Sequence, residues 1–197
     1  SAIIKIGRDK KVKWILGAPD GWQKAWADKV LKPVDKDGNP IKCEQGKCEN
    51  TTFDWTWTQH TAFRIDSKSD KDVIYVSAFD NGDARGMEQP ALPSMKYSRA
   101  VVYKIDQKKM TVEQVWEYGK ERGHELYSPI TSSVEYQADK NSVVVYWASI
   151  GTGSKTGPAP VLTEFRWGET KPAFEMHLKG GMGYRALPID AQKAFVR

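Results

Sequence analysis

No apolar run among the 197 residues approaches the ~20 needed for a helix to cross a bilayer. The longest, residues 142–150, has the length of a strand, so no membrane partner is expected and the chain reads as soluble. Positive charge has no focus: 30 lysines and arginines against 25 acidic residues leave +5, and lysines sit in turns such as Asp9-Lys10-Lys11 and Asp106-Gln107-Lys108-Lys109. Without a basic stripe or a recognisable module, nucleic acid is not an expected partner, although a modest positive field favours small anions. The N-terminus lacks an initiator Met, a charged n-region and a cleavage site, and a strand pattern begins at once at residues 2–6. The chain therefore reads as a piece of a longer protein.

Reactive side chains are scarce as well: two cysteines, three histidines and no Gly-x-Ser-x-Gly nucleophile motif. Cys43 and Cys48 flank a short polar loop containing Gly46, and such a pair can be a local disulfide, half of a zinc site or two free thiols. Zinc needs two more ligands, and no second histidine follows His60 at three to five residues. His124, in a charged loop, and His177, on an outer strand, read as surface residues. Asp80-Asn81-Gly82-Asp83 partly matches a calcium loop but lacks the bidentate acid, and reads as a tight turn. No metal is expected.

Aromatics are plentiful. Eight tryptophans and eight tyrosines, with Val, Thr and Ile frequent and leucine sparse, favour strands, so the fold class is all-β. Strand patterns at residues 61–65, 73–77, 98–105 and 110–118 make one four-stranded unit, and those at 131–136, 143–146, 161–167 and 173–178 a second. Residues 184–187 open a third, and the hairpin pattern at 2–6 and 12–16 ends a preceding one. Between them lie an amphipathic piece at 21–31, with Trp22, Trp26 and Val30 at helical spacing, and a long turn-rich excursion from 33 to 50. Repeated four-stranded antiparallel units are the signature of a β-propeller. The expected division is the outer strands of one blade over 1–17, a cysteine-bearing insertion over 18–54, blades over 55–119 and 120–180, and the inner strand of a closing blade over 181–197. Closure takes at least about four blades, so this chain alone forms an open arc: either it is a fragment or a partner chain completes it.

Aligning the first strand of each unit puts His60, Thr131 and Tyr184 in register, where innermost strands line a propeller's channel. His60 can serve there as base, nucleophile or ligand. Trp55, Trp57, Phe63 and Tyr184 suit either an apolar cup for an aromatic ligand or ordinary strand packing.

Six uncommon words occur in order: Thr58-Gln59-His60-Thr61-Ala62, Phe79-Asp80-Asn81-Gly82-Asp83, Glu88-Gln89-Pro90-Ala91-Leu92, Met95-Lys96-Tyr97-Ser98-Arg99, the run from Val115 to Arg122, and Tyr127-Ser128-Pro129-Ile130-Thr131. Together they resemble the bacterial arylsulfate sulfotransferases over nearly the whole chain. The resemblance implies the C-terminal blades of a six-bladed propeller with an added N-terminal β domain, a periplasmic location and a homodimer. It further implies transfer of a sulfuryl group from an aryl sulfate donor to a phenolic acceptor, with no nucleotide cofactor. His60 matches the family's nucleophile, sulfated in a ping-pong cycle. Cys43 and Cys48 match its disulfide, and Thr131 and Tyr184 look like its sulfate-bonding and phenol-stacking residues. The cationic groups that hold the sulfuryl oxygens would lie on other blades, so this piece alone is expected to be inactive or nearly so. A non-catalytic propeller module that binds or scaffolds is the alternative. A far-UV spectrum dominated by strand is the expected result, and one dominated by helix rejects the fold class.

Overall fold

The computed structural model describes residues 1–194, which are mostly strands and turns. In chain order they are β1 (Ile3–Ile6), β2 (Val12–Leu16), the one-turn α1 (Lys24–Ala27), β3 (Lys32–Val34), β4 (Cys43–Glu44), β5 (Lys47–Cys48), β6 (His60–Arg64), β7 (Val73–Asp80), β8 (Arg99–Asp106), β9 (Thr111–Tyr118), β10 (Ser133–Gln137), β11 (Ser142–Trp147), β12 (Val161–Arg166), β13 (Phe174–His177) and α2 (Ala191–Ala194). Among the described residues no helix is long and apolar enough to cross a membrane.

Two antiparallel meanders carry the architecture. β10 to β13 form a four-stranded sheet in sequence order. β6 to β9 form another, widened by β3, which lies parallel to β9 with Pro33 opposite Val112. β3 falls inside the excursion expected to be loop. Pro33 argues against a strand in sequence because it has no N–H to donate, yet an edge position tolerates that loss. Its carbonyl is used instead, accepting from Ile41 N at 2.9 Å.

The sheet of β6 to β9 has a hydrophobic core on each face. Along β8, Val101, Tyr103 and Ile105 join Trp14, Leu16, Leu31 and Phe53, while Ala100 and Val102 join Trp116, Val145, Trp147 and Phe165. Alternating side chains of one strand thus feed both cores, which is why this stretch shows no polar face in sequence. Trp147 anchors the second core. It lies 5.1 Å from the Phe79 ring and 6.2 Å from Tyr118, and its indole N–H donates to Thr163 Oγ1 at 3.0 Å.

An ionic cluster is buried where β7 and β8 meet. The Asp80 carboxylate accepts from Trp57 N at 2.7 Å, Arg85 Nη2 at 2.9 Å and Arg99 Nε at 2.8 Å. Arg99 also reaches Glu117 at 2.5 Å and the carbonyls of Asp54 and Trp55, and Arg85 reaches Asp54 at 2.6 Å. Burial works against the Arg99 charge, but Tyr103, Asp54, Asp80 and Glu117 outweigh it and hold the guanidinium well above its usual range. Burial also pushes the Tyr97 hydroxyl up to about 12.

Two expected elements differ. The amphipathic piece shrinks to α1, which buries none of its residues, with Trp26 41% exposed. Val30 is taken into a parallel bridge with Ile15 instead, and pairing to β2 outcompetes a second helical turn. Residues 184–187 form no strand, though Tyr184 O accepts from Ser132 N at 2.9 Å. The end of the expected 181–197 strand, residues 195–197, lies outside the described residues.

Replacing Asp80 by alanine takes the shared buried carboxylate from Arg85 and Arg99, leaving each with one acidic partner, and is expected to cost about 3–5 kcal/mol. Trp147→Ala leaves a cavity and a lost hydrogen bond, also about 3–5 kcal/mol. Urea unfolding midpoints measure both.

Candidate functional site

β6 opens on His60, paired with Phe79 beside the end of β7, and the register breaks between His60 and Phe63. Backbone strain gathers on either side of this break. Thr58 (φ 55°), Thr61 (φ 50°) and Thr131 (φ 58°) are β-branched residues in the left-handed region, and Ser132 (φ 86°) adjoins them. Such conformations persist only where surrounding contacts enforce them, and they cluster at functional sites.

The half-buried His60 places Nδ1 2.7 Å from Oδ1 of Asn81. Asn81 is fully buried, and its Nδ2 donates to Ser128 O at 2.7 Å and to Thr131 O at 3.0 Å. Thr61 Oγ1 donates to Ser132 O at 3.0 Å, tying β6 to the approach of β10. Thr131 Oγ1 lies 2.6 Å from Ile130 O and 3.3 Å from Gly183 O. His60, Thr131 and the chain at Tyr184 are therefore joined by one run of hydrogen bonds, the first two through Asn81. Tyr184 enters this run by its backbone, and its side chain is 64% exposed.

Asn81 is itself held from three directions. Asp80, its neighbour, belongs to the ionic cluster, and Ser98 Oγ donates to Asn81 O at 2.8 Å. Gly82 follows at φ 78°, its N donating to Trp57 O at 2.8 Å, and a Cβ there would lie 2.2 Å from Tyr97 O. Only glycine permits that approach.

Cys43 and Cys48 are joined in a disulfide, S–S 2.01 Å, closing the β4–β5 hairpin. Its turn residues Gln45 (φ 49°) and Gly46 (φ 70°) are both left-handed, as a two-residue hairpin turn requires, and the Asp20 carboxylate accepts from both backbone N–H groups, at 3.1 and 2.9 Å. A Cβ on Gly46 would sit 2.6 Å from the Trp57 ring, so the hairpin rests on Trp57. Closing so short a loop contributes at most about 2 kcal/mol by chain entropy. Its effect is local, on the strand entering His60.

The sequence reading of Asp80-Asn81-Gly82-Asp83 as a plain tight turn needs correction, since Asp80 and Asn81 point inward to the arginines and the histidine. Neither role was seen in sequence. The available signal was Arg99 inside an otherwise apolar strand, because a buried guanidinium needs a buried acid. The four aromatics also separate: Trp55 and Trp57 belong to a core, Phe63 lines a groove of about 550 Å³ with Glu135, Tyr136 and Arg185, and Tyr184 is exposed. His60 does not line that groove. His124 is exposed, with its ring 5.7 Å from Tyr127, and exposed His177 bonds Glu175 at 2.9 Å. Among the described residues no group of three or more His, Cys, Asp or Glu is placed to hold a metal.

Sequence comparison agrees with the family resemblance. The chain is similar to arylsulfate sulfotransferase AssT of Escherichia coli O6:H1 (strain CFT073), 61% identical over 149 residues, which are 75% of this chain and 24% of that protein. It is 58% identical to arylsulfate sulfotransferase AssT of Lelliottia amnigena over 149 residues, again 75% of this chain and 24% of that protein. The chain thus spans about a quarter of the length of the curated relatives it matches. The arylsulfotransferase (ASST) family model matches residues 1–185, nearly the whole chain, and the chain belongs to that family.

Proposed function

We propose that the chain is the C-terminal part of an arylsulfate sulfotransferase and carries its nucleophile, His60. The observation that supports this best is the imidazole itself, engaged at Nδ1 by a buried amide while Nε2 has no hydrogen bond from the described residues. A neutral imidazole nitrogen is a competent nucleophile once its orientation is fixed.

In the first half-reaction the Nε2 lone pair forms a bond to sulfur of an aryl sulfate. The sulfur–oxygen bond breaks, and a phenolate leaves with the electron pair. In the second, an acceptor phenol attacks the same sulfur, the nitrogen–sulfur bond returns its pair to Nε2, and the phenol proton passes to solvent. Sulfuryl transfer between two oxygens through nitrogen needs no cofactor. Thr131 hydrogen-bonds a sulfuryl oxygen, and Tyr184 stacks on the phenol ring once its segment is packed against the remainder of the protein. In the full protein, residues 55–119 and 120–180 are two blades of a six-bladed propeller, which supplies the cationic groups that stabilise the sulfuryl oxygens. A homodimer in the periplasm is the proposed setting. The Cys43–Cys48 bridge suits that oxidising compartment.

In the full-length protein, His60→Ala is expected to lower transfer from 4-nitrophenyl sulfate to phenol by about 10⁴-fold or more. The 197-residue chain alone is expected to give little or no product. A full-length protein whose product does not depend on His60 favours the non-catalytic alternative.

A further inference from the structure

We infer that Asn81 is a positioning residue that fixes the histidine's tautomer, keeping the proton on Nδ1 and the lone pair on Nε2 of His60. The inference rests on the reading of His60 as the nucleophile.

The orientation of the Asn81 amide follows from its partners. Ser128 O and Thr131 O are backbone carbonyls and can only accept, so the group facing them at 2.7 and 3.0 Å is the NH₂. Turning the amide over would set Oδ1 against two carbonyl oxygens. Oδ1 therefore faces His60, and at 2.7 Å it can only accept from a protonated Nδ1. A neutral imidazole has one proton, which leaves Nε2 bare. The tautomer of His60 is thus set by two main-chain carbonyls acting through one side chain.

An amide suits this task better than a carboxylate. It orients the ring without adding a negative charge that would favour the protonated, non-nucleophilic imidazolium. When sulfation of Nε2 makes the ring cationic, the Nδ1–H bond to Oδ1 becomes charge-assisted and strengthens. The bond is therefore stronger after the lone pair has been used than before, which is the direction that favours transfer. Burial of Asn81, the inward pull of Asp80 and the tight Gly82 leave the amide no alternative position.

The test uses the full-length protein with nitrogen-labelled histidine. The signal of His60 is assigned by its loss in His60→Ala, and the imidazole nitrogen shifts report which nitrogen carries the proton. The expected result is a protonated Nδ1 and a bare Nε2. Reversing the tautomer in a Ser-His-Asp triad costs about 10⁴, and loss of a neutral orienting group should cost less, so Asn81→Ala is expected to lower kcat about 10- to 100-fold with little change in KM. Asn81→Asp lacks the same two N–H donors as alanine but keeps an oxygen for Nδ1–H. Its added negative charge favours the imidazolium, so kcat is expected to recover only as the pH is raised, an alkaline-shifted limb that Asn81→Ala lacks. A proton on Nε2 in the unmodified protein, or an Asn81→Asp variant as impaired as Asn81→Ala at every pH, overturns the inference. Full transfer by His60→Ala overturns the nucleophile reading and with it the catalytic value of Asn81, whichever tautomer is observed.

Discussion

One carboxylate, that of Asp80, sets the geometry on which the site depends. It is removed from water together with Arg85 and Arg99, and neither charge type is tolerated there without near-complete pairing. Because both guanidinium–carboxylate pairings have to be kept, Trp57, the end of β7, the start of β8 and the loop carrying Arg85 are held in one arrangement. Asp80 is adjacent to Asn81. The stringent requirement of the ions is thereby transmitted to an amide that touches the histidine.

The disulfide acts on the same structure from outside. Its hairpin packs on Trp57, whose backbone N–H and carbonyl bond Asp80 and Gly82. One residue later the chain takes a left-handed turn at Thr58, and two residues beyond that it reaches His60. A cross-link that adds little to global stability can still limit the motion of a strand leading to a reactive group. The strained threonines around His60 fit that picture, since each needs its surroundings to hold it.

Strand positions were legible in sequence because alternation and length mark them directly: the observed β7, β8 and β12 lie within a few residues of the patterns that announced them. β3 was hidden by Pro33, and the helical spacing of Trp22, Trp26 and Val30 misled because a bridge to Ile15 captures Val30. At the site, His60 stood out as a rare residue type in a distinctive word; hydrogen bonds join it to Thr131 through Asn81 and onward to the backbone at Tyr184, although Thr131 precedes β10 and Tyr184 lies in no strand. Asn81 did not stand out. An Asn before Gly is the usual composition of an exposed turn, and only the partners of its side chain, 47 and 50 residues away, reveal that it faces inward. Long-range polar contacts of this kind leave no periodicity in the chain.

The central claim is that the Nε2 lone pair of His60 receives the sulfuryl group. It is tested most directly by mixing the full-length protein with 4-nitrophenyl sulfate in the absence of acceptor, quenching above neutral pH and measuring peptide masses. The account predicts a gain of one sulfuryl group on the peptide that contains His60, discharged when phenol is added. Release of nitrophenolate with the group found on any other residue, or on none, contradicts it.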